Sequence, residues 1–322
     1  MAESTLGDAG ELGQKIRDLV VSAGNGGYNP TDRATIAQQM SGLRDQLFAL
    51  SNRSDTNGIP LFGGLGSAGA PFTDATTGVV FNGIAGQRSS TEVTLPSAMD
   101  GQSIWMNVPT GNGTFGVSLG GANTGNAWTD TGQVVSPAAL TGHNYSVNFN
   151  VAAGVTTYDV VDTTTATTIS AAQPYVDGHV IQFDGLSFVA HGTPANGDAL
   201  QVSPSTQSNV FKVIDDAITS INNAKGDNKL NQAVALALNQ LDTSMGRIQS
   251  ARGQAGDWLN RGDNIENTQK GRTIQLTAEK AGAEDLDMVK GISDFQKLQT
   301  GYQAALQSYA QVQKLSLFNY IS

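Results

Sequence analysis

The sequence predicts an α+β multidomain protein in which both ends of the chain form an antiparallel, coiled-coil-like helical rod and an all-β domain is inserted between them. Three observations point there. Apolar residues recur every three or four positions in residues 1–58 and 208–322 but every second position in 59–207, the spacings of a helical face and a strand face. The composition shifts at the same places, from Leu, Gln, Ala and charged pairs in the flanks to Thr, Gly and Val in the middle. The net charge of −10 is also uneven, because residues 59–207 carry nine acidic side chains against the single basic Arg88. An insert flanked by helices has its two ends close together, so the helical halves pack on each other.

The first flank reads as two helices. Leu12, Ile16, Leu19 and Ala23 are spaced four, three and four, and AGNGGYNP then breaks the pattern with glycines and a proline. Asn29 or Thr31 caps the next helix, with Pro30 tolerated in its first turn. Ile36, Met40, Leu43, Leu47 and Leu50 follow as an a/d seam of two heptads. In the middle, SIWMNV alternates around Ile104, Met106 and Val108, and HNYSVNFNV around Tyr145, Val147, Phe149 and Val151. TTYDVVD, HVIQFDG and LSFVA add strands between Gly, Asn, Asp and Pro turn signals, the pattern of a sandwich or barrel.

The second flank opens with Val210, Val213 and Ala217 on a short helix that breaks near KGDNK. A long helix takes over with Val234, Leu238, Leu241, Met245 and Ile248 in heptad register, and runs to about residue 280, roughly 75 Å at 1.5 Å per residue. Glu284, Asp285 and Asp287 mark the start of the last helix, where carboxylates complement the macrodipole. From Ile292 onward one stripe collects Ile292, Phe295, Leu298, Tyr302, Leu306, Tyr309, Val312, Leu315, Leu317 and Phe318, and the chain finishes on LSLFNYI. Such an apolar end needs a partner to cover it. Glycines at 246, 253, 256, 262, 271, 282, 291 and 301 each cost about 1 kcal/mol against alanine, on the order of 8 kcal/mol together. These helices are therefore weak alone, and residues after about 285 are expected to be flexible in the isolated chain.

Several function classes drop out. Cysteine is absent, which removes disulfide scaffolds, thiol nucleophiles and thiolate metal sites. No run of 18 apolar residues occurs, and the start lacks a secretory-signal layout, so membrane insertion is not expected. The acidic balance argues against nucleic acid as a partner. GLGSAG at 64–69 fits a dinucleotide fingerprint by spelling, but Pro71 and a Thr-rich stretch follow it, so it reads as a loop. His143, His179 and His191 match no metal spacing, and Arg261-Gly262-Asp263, an adhesion tripeptide by spelling, falls within a helix. No catalytic, cofactor or metal residue is expected.

With these pieces placed, the chain resembles the flagellin superfamily. The resemblance rests on MVKGISDFQKLQTGYQAALQSYAQVQKLSLFNYI, on EDLDM at 284–288, and on GRIQSARGQAGDWLNRGDNIEN at 246–267. GIPLFGG at 58–64 with VVFNGIAGQR at 79–88 resembles the hairpin that leaves the family's rod, and GLSFVAHGTPANGDALQVSPS at 185–205 its outer β domain. The LSLFNYI ending is most similar to members at the hook–filament junction. The resemblance implies a structural part of the bacterial flagellum, not an enzyme. By the same resemblance it is expected to be exported unfolded by the type III route, to lie outside the cell, and to self-assemble into a junction ring. The implied partners are other copies of the chain, the neighbouring hook-associated junction protein, flagellin, and an export chaperone on the C-terminal helix.

The resemblance also implies a rod core built from Leu12, Ile16, Leu19, Ile36, Met40, Leu43, Leu47, Leu238, Leu241, Met245 and Ile248, with the stripe from Ile292 packing between subunits. Family members carry a further N-terminal helical segment, so this chain, starting at MAESTL, is expected to be a truncated form. Two rival readings are a filament-forming flagellin and an adhesin whose β domain binds glycans through Trp105 or Trp128.

Overall fold

Asn29 shows how local chemistry starts a helix here. Its side-chain oxygen accepts from the backbone N–H of Thr31 (2.8 Å) and Asp32 (3.0 Å), and Asp32 accepts in return from Asn29 N–H (3.1 Å). That reciprocal box, with Pro30 in the first position, fixes the start of α2. The computed structural model describes every residue except 92, 93, 225, 285, 286 and 319–322, together with the side chains of 227, 284 and 315–318. Its helices are α1 (Ala2–Ala23), α2 (Pro30–Ser51), α3 (Val210–Asn223), α4 (Asp227–Glu284) and α5 (Met288–Phe318). The chain divides into two compact units, Met1–Asn260 and Arg261–Ser322.

Within the first unit the helices pair antiparallel. Arg252 on α4 bonds Glu3 on α1, Met245 lies against Gly13, Arg17 bonds Asp242, and Val234 lies against Gly24. On α2 and α3, Phe48 meets Phe211 edge-on and Arg44 pairs with Asp215 in the same antiparallel sense. Leu12, Ile16, Ile36, Met40, Leu47, Leu241 and Ile248 are buried in one core, and Leu19, Leu43, Leu50, Val234 and Leu238 are half-buried at its margin. Met245 is also half-buried. The most buried line of α2 runs Ile36, Met40, Arg44, Leu47 and Ser51. A heptad reading centres the face on Leu43 instead, but a straight α-helix drifts from a 3.5-residue repeat, and only a supercoiled pair would cancel that drift.

The middle of the chain is shared between two cores. The strands β1 (Phe72–Ala75) and β2 (Gly78–Phe81) form a hairpin whose Phe72 and Val79 join the helical core. The alternation in SIWMNV predicts a strand, and the structure corrects this. Residues Gln102–Met106 make a π-helical turn, and only β3 (Val108–Pro109) is extended. The physical reason is that Ile104 and Trp105, adjacent in sequence, are both buried, whereas neighbouring strand residues point to opposite faces. Arg247 on α4 fastens the turn by donating from Nε (3.1 Å) and Nη2 (2.6 Å) to Ser103 O.

The remaining strands are β4 (Phe115–Leu119), β5 (Trp128–Thr129), β6 (Gln133–Val134), β7 (Tyr145–Ala152), β8 (Val155–Asp162), β9 (Thr167–Pro174), β10 (His179–Phe183), β11 (Leu186–His191), β12 (Ala199–Pro204) and β13 (Gln207–Ser208). One antiparallel sheet has the order β4-β12-β7-β8-β9, and a second has β10-β11-β5 with β6 also on β11. Val147, Phe149 and Val202 from the first sheet and Ile181, Phe188 and Ala190 from the second share a second core, which makes the pair a sandwich. The two-stranded β13–β3 pair brings the exit and entry of the sandwich together.

The second unit holds the remainder of α4 and all of α5. Asp287 opens α5 by accepting from the backbone N–H of Val289 (3.0 Å) and Lys290 (3.1 Å). Of the other two carboxylates expected at this helix start, Asp285 and the side chain of Glu284 lie outside the described residues.

Candidate functional site

The apolar face of α5 is a feature for which the described residues offer no covering partner. Ile292, Phe295, Leu298, Tyr302, Leu306, Tyr309 and Val312 fall on one side of a helix of 31 residues, about 46 Å long at 1.5 Å per residue. Each has between 51% and 72% of its surface exposed. Covering a large apolar side chain contributes roughly 1.5 kcal/mol, so the seven hold on the order of 10 kcal/mol in reserve. That equals the whole stability of an ordinary domain. Leu315, Leu317 and Phe318, which continue the stripe in the sequence, lie outside the described side chains.

The helical glycines carry a related signal. A Cβ built at Gly246, Gly253, Gly256, Gly271, Gly282 or Gly301 meets nothing within 4 Å. Among the described residues no contact requires glycine at these places, so packing does not account for their cost in helix propensity.

The remaining candidates resolve into structural roles. At Gly64, in GLGSAG, a Cβ would stand 2.1 Å from Ile84 O, so glycine serves close backbone approach in a loop. His143 Nδ1 bonds Asp162 (2.6 Å), His179 Nε2 lies 3.3 Å from the Tyr158 hydroxyl, and His191 stacks on Trp128 at 4.5 Å. Among the described residues no group of three or more His, Asp or Glu could hold a metal ion. Trp105 cannot meet a glycan, because it is 0% exposed between Phe62 and Phe211. Arg261–Gly262–Asp263 lies inside α4, and among the described helices none is long and apolar enough to cross a membrane.

Two sites escaped the sequence reading. Arg44, only 8% exposed, sits between Asp74 of the hairpin and Asp215 of α3 (Nε–Oδ1 3.1 Å, Nη2–Oδ2 3.1 Å) while lying over the rings of Phe48 and Phe211. The hydrogen bond to Asp74 raises its pKa, against the opposing effect of burial, and Asp215 adds to the rise. Its sequence signal was a charge one turn from Met40 and from Phe48 on a helix face. The other is Gln232 with Asn228 on the first turns of α4. Both are buried, and both reach backbone groups of the sandwich.

Comparison with known proteins follows this geometry. Residues 1–67 match the bacterial flagellin N-terminal helical region, and residues 237–321 match the bacterial flagellin C-terminal helical region. The chain is 23% identical to flagellar hook-associated protein 3 of Escherichia coli (strain K12) over 323 aligned positions, 99% of this chain and 75% of that protein. The crystal structure of FlgL from Xanthomonas campestris superposes with a TM-score of 0.79 at 26% identity, covering 87% of this chain and 92% of that one. The flagellar junction protein FlgL from Legionella pneumophila gives a TM-score of 0.74 at 26% identity, covering 83% and 90%.

Proposed function

Because the two ends of this chain match the N- and C-terminal helical regions of bacterial flagellin, we propose that it belongs to the flagellin superfamily and is a structural component of the bacterial flagellum that forms the junction between hook and filament. The observation that carries the proposal is the exposed stripe Ile292–Val312 on a helix within the flagellin C-terminal region. A face holding on the order of 10 kcal/mol of unrealised burial is an assembly element. Contacts between the stripe and different surfaces of adjoining copies are heterologous, and heterologous contacts close into rings when the rotation per subunit permits.

In this mechanism no covalent bond is made or broken. The chain leaves the cell by the flagellar export route, with a chaperone covering the C-terminal helix until delivery. The stripe then orders against other copies, against the neighbouring hook-associated junction protein and against flagellin, coupling folding to binding. Residues 59–207, at −8, supply a like-charged surface that keeps exposed faces apart.

Genetic complementation tests the proposal. Deleting the gene in its own bacterium is expected to leave hooks without attached filaments and to release flagellin into the medium. The wild-type chain restores attachment. A chain with Phe295, Leu298, Tyr302 and Leu306 changed to serine is exported but does not. Filaments that remain attached in the deletion strain would sink the junction role. Long homopolymers grown from the pure protein would point to a filament subunit instead.

A further inference from the structure

The sequence contains five Asn-Gly pairs, at Asn25, Asn57, Asn82, Asn112 and Asn196. Such pairs share one intrinsic reaction. The glycine nitrogen attacks the asparagine Cγ, a C–N bond forms, and the side-chain nitrogen leaves as ammonia. The resulting succinimide takes up water at either carbonyl, giving aspartate or isoaspartate. No oxidant or further reactant is needed. Since local sequence is so similar, the fold decides which pair reacts.

Three conditions favour the step: a free glycine N–H, a polarised side-chain carbonyl, and a backbone able to bring the two together. Four pairs fail at least one. The N–H of Gly58 donates to Asp55 O (3.1 Å), that of Gly113 to Thr110 O (3.2 Å) and that of Gly197 to Phe149 O (2.9 Å). Asn82 is held by its own N–H donating to Pro71 O (2.7 Å) and its Nδ2 to Thr73 Oγ1 (2.9 Å). Gly83 there is hemmed in, since a Cβ would lie 2.5 Å from the Phe81 ring.

Asn25 meets all three. It is exposed in the connection between α1 and α2, and the N–H of Gly26 has no hydrogen-bond partner among the described residues. The N–H of Gly27 donates to Asn25 Oδ1 (3.0 Å), drawing electron density from the carbonyl that the nucleophile must attack. The backbone bonds of Asn25 are local to the connection, its N–H donating to Ser22 O (3.1 Å) and its carbonyl accepting from Tyr28 N–H (3.0 Å), whereas Asn82 is tied across the hairpin to Pro71 and Thr73. Gly24, Gly26 and Gly27 surround Asn25, and a Cβ at Gly26 would meet nothing within 4 Å, so this short turn rearranges at less cost. We infer that Asn25 is the site of spontaneous deamidation in this protein, with isoaspartate as a product. The change places a new carboxylate just beyond the C-terminal end of α1, a helix with no basic residue in its last turn, and lengthens the backbone of the α1–α2 connection.

The experiment is a time course on the purified full chain at 37 °C and mildly alkaline pH, in water enriched with oxygen-18. Peptide mass mapping then reads all five pairs. Asn25 is expected to deamidate first, ahead of Asn82 and about tenfold faster than Asn57, Asn112 and Asn196, the factor that one hydrogen bond on the nucleophile corresponds to in barrier height. Its product carries one heavy oxygen. In denaturant the five rates converge, and Gly26→Ala slows Asn25 in the folded chain. Earlier reaction at Asn57 or Asn82, or an unchanged order in denaturant, would overturn the inference.

Discussion

Gln232 on α4 uses one amide oxygen to accept both the backbone N–H (2.7 Å) and the hydroxyl (3.2 Å) of Thr129 on β5, while its Nε2 donates to Val117 O on β4 (3.4 Å). A single glutamine thus ties a helix to both sheets of the sandwich, and Asn228 one turn earlier donates to Gly125 O (3.0 Å). Thr129 is 0% exposed and Gln232 5%, so water cannot replace these bonds without opening the joint.

Gln232→Ala therefore strands a buried N–H and a buried carbonyl. The expected loss is roughly 2–3 kcal/mol in urea unfolding followed by far-ultraviolet circular dichroism. Gln232→Glu is also expected to destabilise, because a carboxylate cannot donate to Val117 O. Wild-type stability in both variants would show that α4 and the sandwich are joined by other means.

Arg44→Met should cost about 2 kcal/mol. It leaves Asp74 and Asp215 without their cation, and the value lies below that for a fully buried pair because both carboxylates keep more than a third of their side-chain surface in water. A double-mutant cycle with Asp215→Asn is the check. A coupling energy indistinguishable from zero would show that the guanidinium acts only through its packing on Phe48 and Phe211.

Acid stability should report Asp162. Burial opposes its ionisation, yet the N–H of Thr165, His143, the hydroxyl of Thr165 and the N–H of Thr164 together lower its pKa from 3.8 to about 2. A depressed carboxylate pKa means that the folded state binds its proton less readily than the unfolded state. The stabilisation is present above pH 3.8 and disappears as pH falls through about 2. Melting temperatures of wild type and Asp162→Asn are expected to differ most above pH 4 and to converge near pH 2, following those two values. A difference that stays constant down to the lower end would contradict this linkage.

Amide exchange should separate the two ends of the helical set. In the isolated chain, amides of residues 288–314 are expected to exchange much faster than those of Ile16, Met40 and Ile248, because hydrogen bonds in an uncovered helix open locally. Incorporation into assembled flagella should slow them by orders of magnitude. Slow exchange along α5 in a monomer would mean that the helix is stable without its partner.

Much of the architecture was legible because periodicity is a local property. Alternation in HNYSVNFNV and HVIQFDG marked β7 and β10, three-four spacing marked the helices, and glycines with Pro30 marked the α1–α2 break. Local pattern failed at SIWMNV, where alternation was real but the demand on Ile104 and Trp105 came from the helical core beneath them. It also could not find Arg44 or Gln232. Their partners lie 30 or more residues away in sequence, and nothing near a buried polar residue announces which distant group will satisfy it.

By itself the sequence determined the helical flanks and the strands β7, β8, β10 and β11, where the charge lies, and that the α5 stripe is apolar along one face. These follow from backbone sterics and side-chain spacing. Only the tertiary structure decided that residues 61–108 contribute to the helical core while 115–202 build a separate sandwich, that a buried glutamine joins helix to sheets, and that the α5 face stays exposed. Burial and hydrogen-bond satisfaction are properties of the folded neighbourhood, and that neighbourhood exists only once distant segments have met.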